Sequence, residues 1–182
     1  TGVKSAQGII TEATTPTTGV LLTRTDKITT VFANAQAVIK KFKTVFNVDL
    51  ETVTGDNIKM FTNADGFDYL DGLFDAQGKP YLQPDVTKKS GFSFLGREIV
   101  KLPKKFLANI VDGANTLTPF VVGDLMQLYT MYNREQMSVA STNIGGATWR
   151  NDTTELKGIF RFDGKIQPQN IQAVKVLLIK LA

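Results

Sequence analysis

The stretch from Ala173 to Leu181 constrains the fold most. Ala173, Lys175, Leu177, Ile179 and Leu181 alternate with Val174, Val176 and Leu178, so a strand here is mostly apolar on both faces. Such a strand is stable only inside a sheet covered on both sides, by helices or by a neighbouring subunit. A second β signal precedes it. Leu156, Gly158, Phe160 and Phe162 alternate with Lys157, Ile159, Arg161 and Asp163, and Asp163-Gly164 is expected to close that strand with a turn. Thr118 to Asp124 reads as a short buried strand. Leu125 to Tyr129 fits one helical turn or a strand continuation equally well, because periodicity cannot decide over so few residues. Phe92 to Val100 alternates around a central Gly96-Arg97, which suggests a turn or bulge.

Two segments change to the helical period. Val31, Val38, Ile39, Phe42, Val45 and Phe46 recur at three- and four-residue steps, with Lys40, Lys41 and Lys43 largely opposite. This predicts an amphipathic helix with a solvated lysine face. A shorter helix is predicted over Ala64 to Phe74, capped by Asn63 or Thr62, with Phe67, Leu70, Leu73 and Phe74 as its apolar stripe. Asp75 to Pro80 follows as a turn, with Gly78 free to take positive φ, and Tyr81-Leu82 as a brief extended segment. The Thr- and Gly-rich first thirty residues read as a loop leading into a short strand, Val20-Leu21-Leu22. The layout is α+β, without an internal repeat, and 182 residues suit one domain or one domain with a lobe.

The chain contains no histidine and no cysteine. Disulfides, Cys/His zinc sites, Cys-His and Ser-His-Asp nucleophilic systems and histidine proton shuttles are therefore excluded. Asp65, Asp68, Asp71 and Asp75 would fall near one face of the second helix. A solvated helix surface accounts for them, since calcium-loop spacing and a second acidic motif are missing. Gly145-Gly146 lacks the strand-turn-helix context and the Lys-Ser/Thr ending of a phosphate loop, so it reads as a flexible turn. No catalytic, cofactor-binding or metal-ligating residue is assigned. The formal charge of +4 suits loose contact with a polyanion rather than sequence reading. Lys101, Lys104 and Lys105 flank Pro103 beside Phe106, and fit a solvated surface or an intersubunit salt-bridge patch. Trp149 with Arg150 stands out as a contact point, although a core tryptophan is the commoner role.

The second half carries a resemblance. Phe120-Val121-Val122-Gly123-Asp124-Leu125, the linker through Tyr129 to Arg134, Thr148-Trp149-Arg150, and Ile159-Phe160-Arg161-Phe162-Asp163-Gly164-Lys165-Ile166 resemble the carboxyl-terminal signature of tailed-phage major capsid proteins. Upstream, Leu70, Leu73, Asp75, Gly78, Lys79, Pro80 and Leu82 are similar to the family's helix, turn and extended stretch. Leu95-Gly96-Arg97-Glu98-Ile99-Val100 looks like its next element, with Glu98 where a proline is common. The order and spacing of these elements, from Asn63 to Leu181, carry the likeness; no single one does.

The resemblance implies the Hong Kong 97-like fold, with peripheral and axial domains interleaved through 1–182. It also implies a fragment or trimmed core, with the amino-terminal arm, extended loop and spine helix missing. The expected function is structural and non-enzymatic: a subunit packing as hexamers and pentamers into an icosahedral shell around phage double-stranded DNA. Portal and scaffold proteins are the implied partners, no membrane is involved, and the virion, assembled in the bacterial host cytoplasm, is the implied location. Lys101, Lys104, Lys105, Trp149, Arg150 and Arg161 are the candidate intersubunit or surface contacts. An encapsulin-like nanocompartment shell protein is the alternative, and a ligand-binding module using the carboxylates from Asp65 to Asp75 is a third.

Overall fold

The computed structural model describes residues 8–14, 21–54, 57–144, 148–151 and 153–181, without the side chains of Glu12, Thr148 and Trp149. Its centre is strand β10 (Val174–Lys180), which pairs parallel with β1 (Thr25–Ile28) and antiparallel with β7 (Asn115–Gly123). β7 pairs in turn with β2 (Lys59–Thr62), and the sheet continues through β5 (Arg97–Lys101), β4 (Phe92–Phe94) and β3 (Leu82–Pro84). β6 (Ile110–Asp112) forms a hairpin with the start of β7.

The two-sided apolar pattern of the last strand becomes two cores. Leu177 and Ile179 face one cluster with Phe120 and Val122, beneath α2 (Ala35–Thr44) and α3 (Ala64–Asp71). Val174, Val176 and Leu178 face another with Leu21, Leu107, Val121, Leu128 and Ile166, which also takes Ala13 of α1 (Ile9–Thr14). The chain's own elements thus cover both faces. Phe42 of α2 is fully buried and meets Phe94 and Phe120 edge-on, at 5.4 and 5.5 Å between ring centres. That geometry suits the ring quadrupoles and adds to the area term.

Several expectations shift. The first predicted helix, α2, begins at Ala35, not Val31, because the Asn34 side chain accepts from the Ala37 N–H at 2.9 Å and fixes the cap; Val31 is exposed. Its last turn, Val45–Asp49, widens to π-helical spacing, with the Leu50 N–H bonded to the Val45 carbonyl. The second helix stops at Asp71, followed by Gly72, so Phe74 lies outside its stripe and half exposed. Asn63 caps this helix through the Gly66 N–H. Asp75 sits beyond the helix, accepting from the backbone of Gln77 and Lys79, so only three of the four carboxylates share α3. The strand expected at Val20-Leu21-Leu22 is instead a 3-10 turn at Leu22–Arg24 leading into β1, and Val20 lies outside the described residues. Leu125–Leu128 is one helical turn (α4), and a strand starts at Tyr129. Leu95-Gly96 makes the tight turn between β4 and β5, both residues at positive φ.

One charged residue sits inside the last strand. Lys175 is 7% exposed, and its ammonium lies 2.8 Å from Asp26 and 3.8 Å from Asp49. Lys41 approaches the other Asp26 oxygen at 2.6 Å, and Arg24 bonds the carbonyls of Asp49, Gln172 and Val174. Burial raises the Asp26 pKa, but hydrogen bonds and charges from Lys175 and Lys41 outweigh it and hold the carboxyl below its ordinary value. The stability this supplies is therefore complete above the ordinary value of 3.8 and is lost as pH falls through the lower folded value. Asp26→Asn is expected to cost about 2–3 kcal/mol at pH 7, less than the loss of a fully buried pair because Asp26 is partly exposed. Melting temperatures of both proteins from pH 7 to 3 test this. The variant should lose the Asp26 contribution to the acid decline, and equal stability at pH 7 would contradict the assignment.

Candidate assembly surfaces

Beyond Gly123 the chain leaves the body. Asp124 accepts from the Met126 N–H and caps α4, and its own N–H bonds the Ala173 carbonyl at 2.9 Å. β8 (Tyr129–Thr142) then runs outward and β9 (Glu155–Ile166) returns, paired antiparallel as a two-stranded ribbon. Fourteen residues of strand reach about 40 Å. The pairing runs through Asp163-Gly164, opposite Tyr132 and Met131, so the expected turn there is absent. Gly164 serves a different need: a Cβ would lie 2.7 Å from the Tyr129 ring, which covers it.

Cross-strand partners share a face. Tyr129 opposes Ile166, Met131 opposes Gly164, Asn133 opposes Phe162, Val139 opposes Gly158 and Ser141 opposes Leu156. Alternation adds Phe160 to this side. The face is therefore apolar, and at its base Ile166 is buried in the body's second core. Further out no described residue covers it: Met131 is 67% exposed, Leu156 71%, Phe160 54% and Phe162 56%. The opposite face carries Thr130 with Lys165, Tyr132 with Asp163, and Ala140 with Lys157. Register shifts on either side of Glu135 place it opposite Arg161, whose Nε lies 3.2 Å from the carboxylate.

The candidate contacts divide between two places. Arg161 lies on the ribbon's polar face, and Arg150 is exposed in α5 (Thr148–Asn151), between the outer ends of β8 and β9. The Trp149 side chain and Gly145-Gly146 lie outside the described residues. Lys101, Lys104 and Lys105 belong to the far end of the body. Lys101 ends β5 with its ammonium 4.8 Å from the centre of the Phe67 ring. Lys104 pairs with Asp65 at 2.7 Å, and this hydrogen bond, with one from Asn109, draws the Asp65 carboxyl below its usual range. Lys105 and Phe106 are exposed. Asp65 and Asp68 line an open groove of about 360 Å³ with Asn109 and Thr118, but Asp65 is already engaged by Lys104 and Asn109. Among the described residues no three acidic side chains gather as a cation would require. No helix is long and apolar enough to cross a membrane among them.

Sequence reading missed the apolar ribbon face as a unit. The alternation in β9 was visible, whereas β8, with Asn133 and Ser141 on the apolar side and two register shifts, hides its period.

The Phage capsid family model matches residues 1–178. No curated protein matches in sequence. Among solved structures, the capsid of the native GTA particle is 16% identical over 98% of this chain and 57% of its own, with a TM-score of 0.58. The capsid of the empty GTA particle is 15% identical over 86% of this chain and 49% of its own, with a TM-score of 0.53. The 182 residues thus span about half the length of these capsid chains and share their fold.

Proposed function

Since the chain belongs to the phage capsid family, we propose that it forms the shell of a phage particle, as the core of a subunit that packs into hexamers and pentamers around double-stranded DNA. The observation that carries this is the ribbon, whose apolar face is continuous with the core at Ile166 and bare beyond it. A soluble monomer rarely keeps so contiguous an apolar surface, and proteins that cover such surfaces by association are the ones that do. On this reading the two-core sheet is the axial domain and the ribbon belongs to the peripheral domain. Portal and scaffold proteins are its partners, the bacterial cytoplasm is where it assembles, and the protein needs no catalytic group.

Negative-stain electron microscopy with light scattering, at high protein concentration across a salt series, tests the reading. Rings, sheets or shells are expected. A monodisperse monomer under every condition, both for these 182 residues and for the whole gene product, would refute it.

A further inference from the structure

The ribbon is open along both long edges. Its two strands pair with each other, and among the described residues no third strand lies beside either. A two-stranded ribbon is marginal in water by itself, and an unpaired edge offers a row of main-chain donors and acceptors to any extended chain. The outer half has the least support. Beyond the second register shift the ladder resumes at Ser138 and runs regularly to Thr142, and every residue of this stretch is exposed.

Open edges are ordinarily guarded by shortness, charge or proline. In the body, β1, β3 and β6 are 4, 3 and 3 residues long, and they carry Asp26 with Lys27, Pro84, and Asp112 respectively. β9 carries Glu155, Lys157, Arg161, Asp163 and Lys165. In the inner half of β8, Tyr129 and Thr130 are half-buried at the ribbon's root, and Arg134 with Glu135 follow soon after. Ser138-Val139-Ala140-Ser141-Thr142 has none of these guards.

We infer that Ser138 to Thr142 pairs, main chain to main chain, with the same stretch of a second copy, antiparallel and with Ala140 opposite Ala140. Among the described residues this is the one unguarded edge of that length, so the matching edge on another copy is the same one. Opposite residues of an antiparallel pair share a face. A two-fold axis perpendicular to the sheet at Ala140 therefore sets Ser138 against Thr142 and Val139 against Ser141, and keeps both apolar faces on one side. No like charges are brought together. Lys157, beside Ala140 on β9, would stand three strand spacings from its counterpart, about 14 Å, beyond the screening length at physiological salt. Such a contact is isologous and closes on itself. It deepens the capsid reading by giving the ribbon's edge a partner, and it can fail while that reading stands.

The chain has no cysteine, so a single introduced thiol reports a single contact. Ala140→Cys in the purified 182-residue chain, under copper-phenanthroline oxidation, is expected to give a disulfide-linked dimer at least tenfold faster than Thr142→Cys. The two copies of the latter would stand four residues apart along the strands, about 13 Å, too far to bridge. Adding Ser138→Lys and Thr142→Lys to Ala140→Cys sets lysine opposite lysine twice and should slow linkage to the Thr142→Cys rate. Ser138→Lys with Thr142→Glu sets lysine opposite glutamate twice and should restore it. All three positions are exposed, and circular dichroism melts check that the body stays folded. Equal rates for Ala140→Cys and Thr142→Cys would reduce the reaction to random encounter and overturn the pairing. A Lys/Glu variant as slow as the Lys/Lys variant would overturn it too. Shells whose Ala140→Cys subunits stay unlinked would sink the edge pairing and leave the capsid reading standing; a linked dimer that never builds larger particles would do the reverse.

Discussion

Gly123→Ala is expected to destabilise the fold by about 3–5 kcal/mol. Gly123 has a φ of +135°, a region that residues with a Cβ avoid. It also sits where three strands meet, opposite Val174 of β10 on one side and Lys59 of β2 on the other. A Cβ there would overlap the Ala173 carbonyl oxygen and come within 2.8 Å of the Val174 Cα. Both obstacles are backbone, so no side chain can swing aside. Backbone strain of about 1–3 kcal/mol adds to overpacking of similar size. Gly78→Ala is the control. It shares the positive φ, at +78°, but has nothing within 4 Å of a Cβ, so about 1–2 kcal/mol of backbone cost is all it should show. Thermal and urea unfolding of the two variants measures the difference. At about 2–4 °C per kcal/mol for a chain of this size, Gly123→Ala should melt roughly 6–20 °C lower. A loss below 1 kcal/mol would mean that the strands part there without resistance.

Gly123 also shows what a sequence signature conceals. The pair Gly123-Asp124 was readable as the end of a buried strand and as part of a capsid-like pattern. Its work is mechanical: the glycine lets β10 approach, and the aspartate caps α4 while its N–H holds Ala173. Together they fix where the chain leaves the sheet, and so where the ribbon starts.

The strands with two apolar faces were legible because burial leaves a direct mark on composition. Thr118 to Asp124 and Ala173 to Leu181 recover most of β7 and β10, and the α2 stripe recovers its core contacts at Val38, Ile39 and Phe42. Local turn chemistry was less reliable. Asp163-Gly164 carries a hairpin signal, yet the glycine answers to the Tyr129 ring across the ribbon, a contact between residues far apart in sequence. Lys175 stands in the alternation only as the one charged member of a mostly apolar face. Its partners, Asp26 and Asp49, come from β1 and the end of the helical segment, which only the fold brings together. The candidate lysines were named as one cluster, but Lys101 lies over the Phe67 ring, which packs on Phe92 of the neighbouring strand.

Phe160→Asp with Phe162→Asp should abolish particle formation while leaving the body folded. The two rings lie 5.3 Å apart on the bare ribbon face, beyond the point where Ile166 enters the core. Because each is more than half exposed, their replacement removes little buried area from the monomer, and unfolding free energy should move by less than about 1 kcal/mol. On the proposed assembly the same face is covered, and an unpaired carboxylate buried there costs several kcal/mol per copy. That cost recurs in every subunit, so the expected outcome is complete loss rather than a shift in yield. Arg161→Ala supplies the comparison from the opposite face. Its pairing with Glu135 is exposed and should contribute no more than about 1 kcal/mol, leaving assembly largely intact. Sedimentation and electron microscopy of the variants, set beside circular dichroism melts, separate assembly from folding. Shells that persist in the double aspartate variant would show that the apolar face stays solvent-exposed in the particle, and that face could then no longer be what draws subunits together.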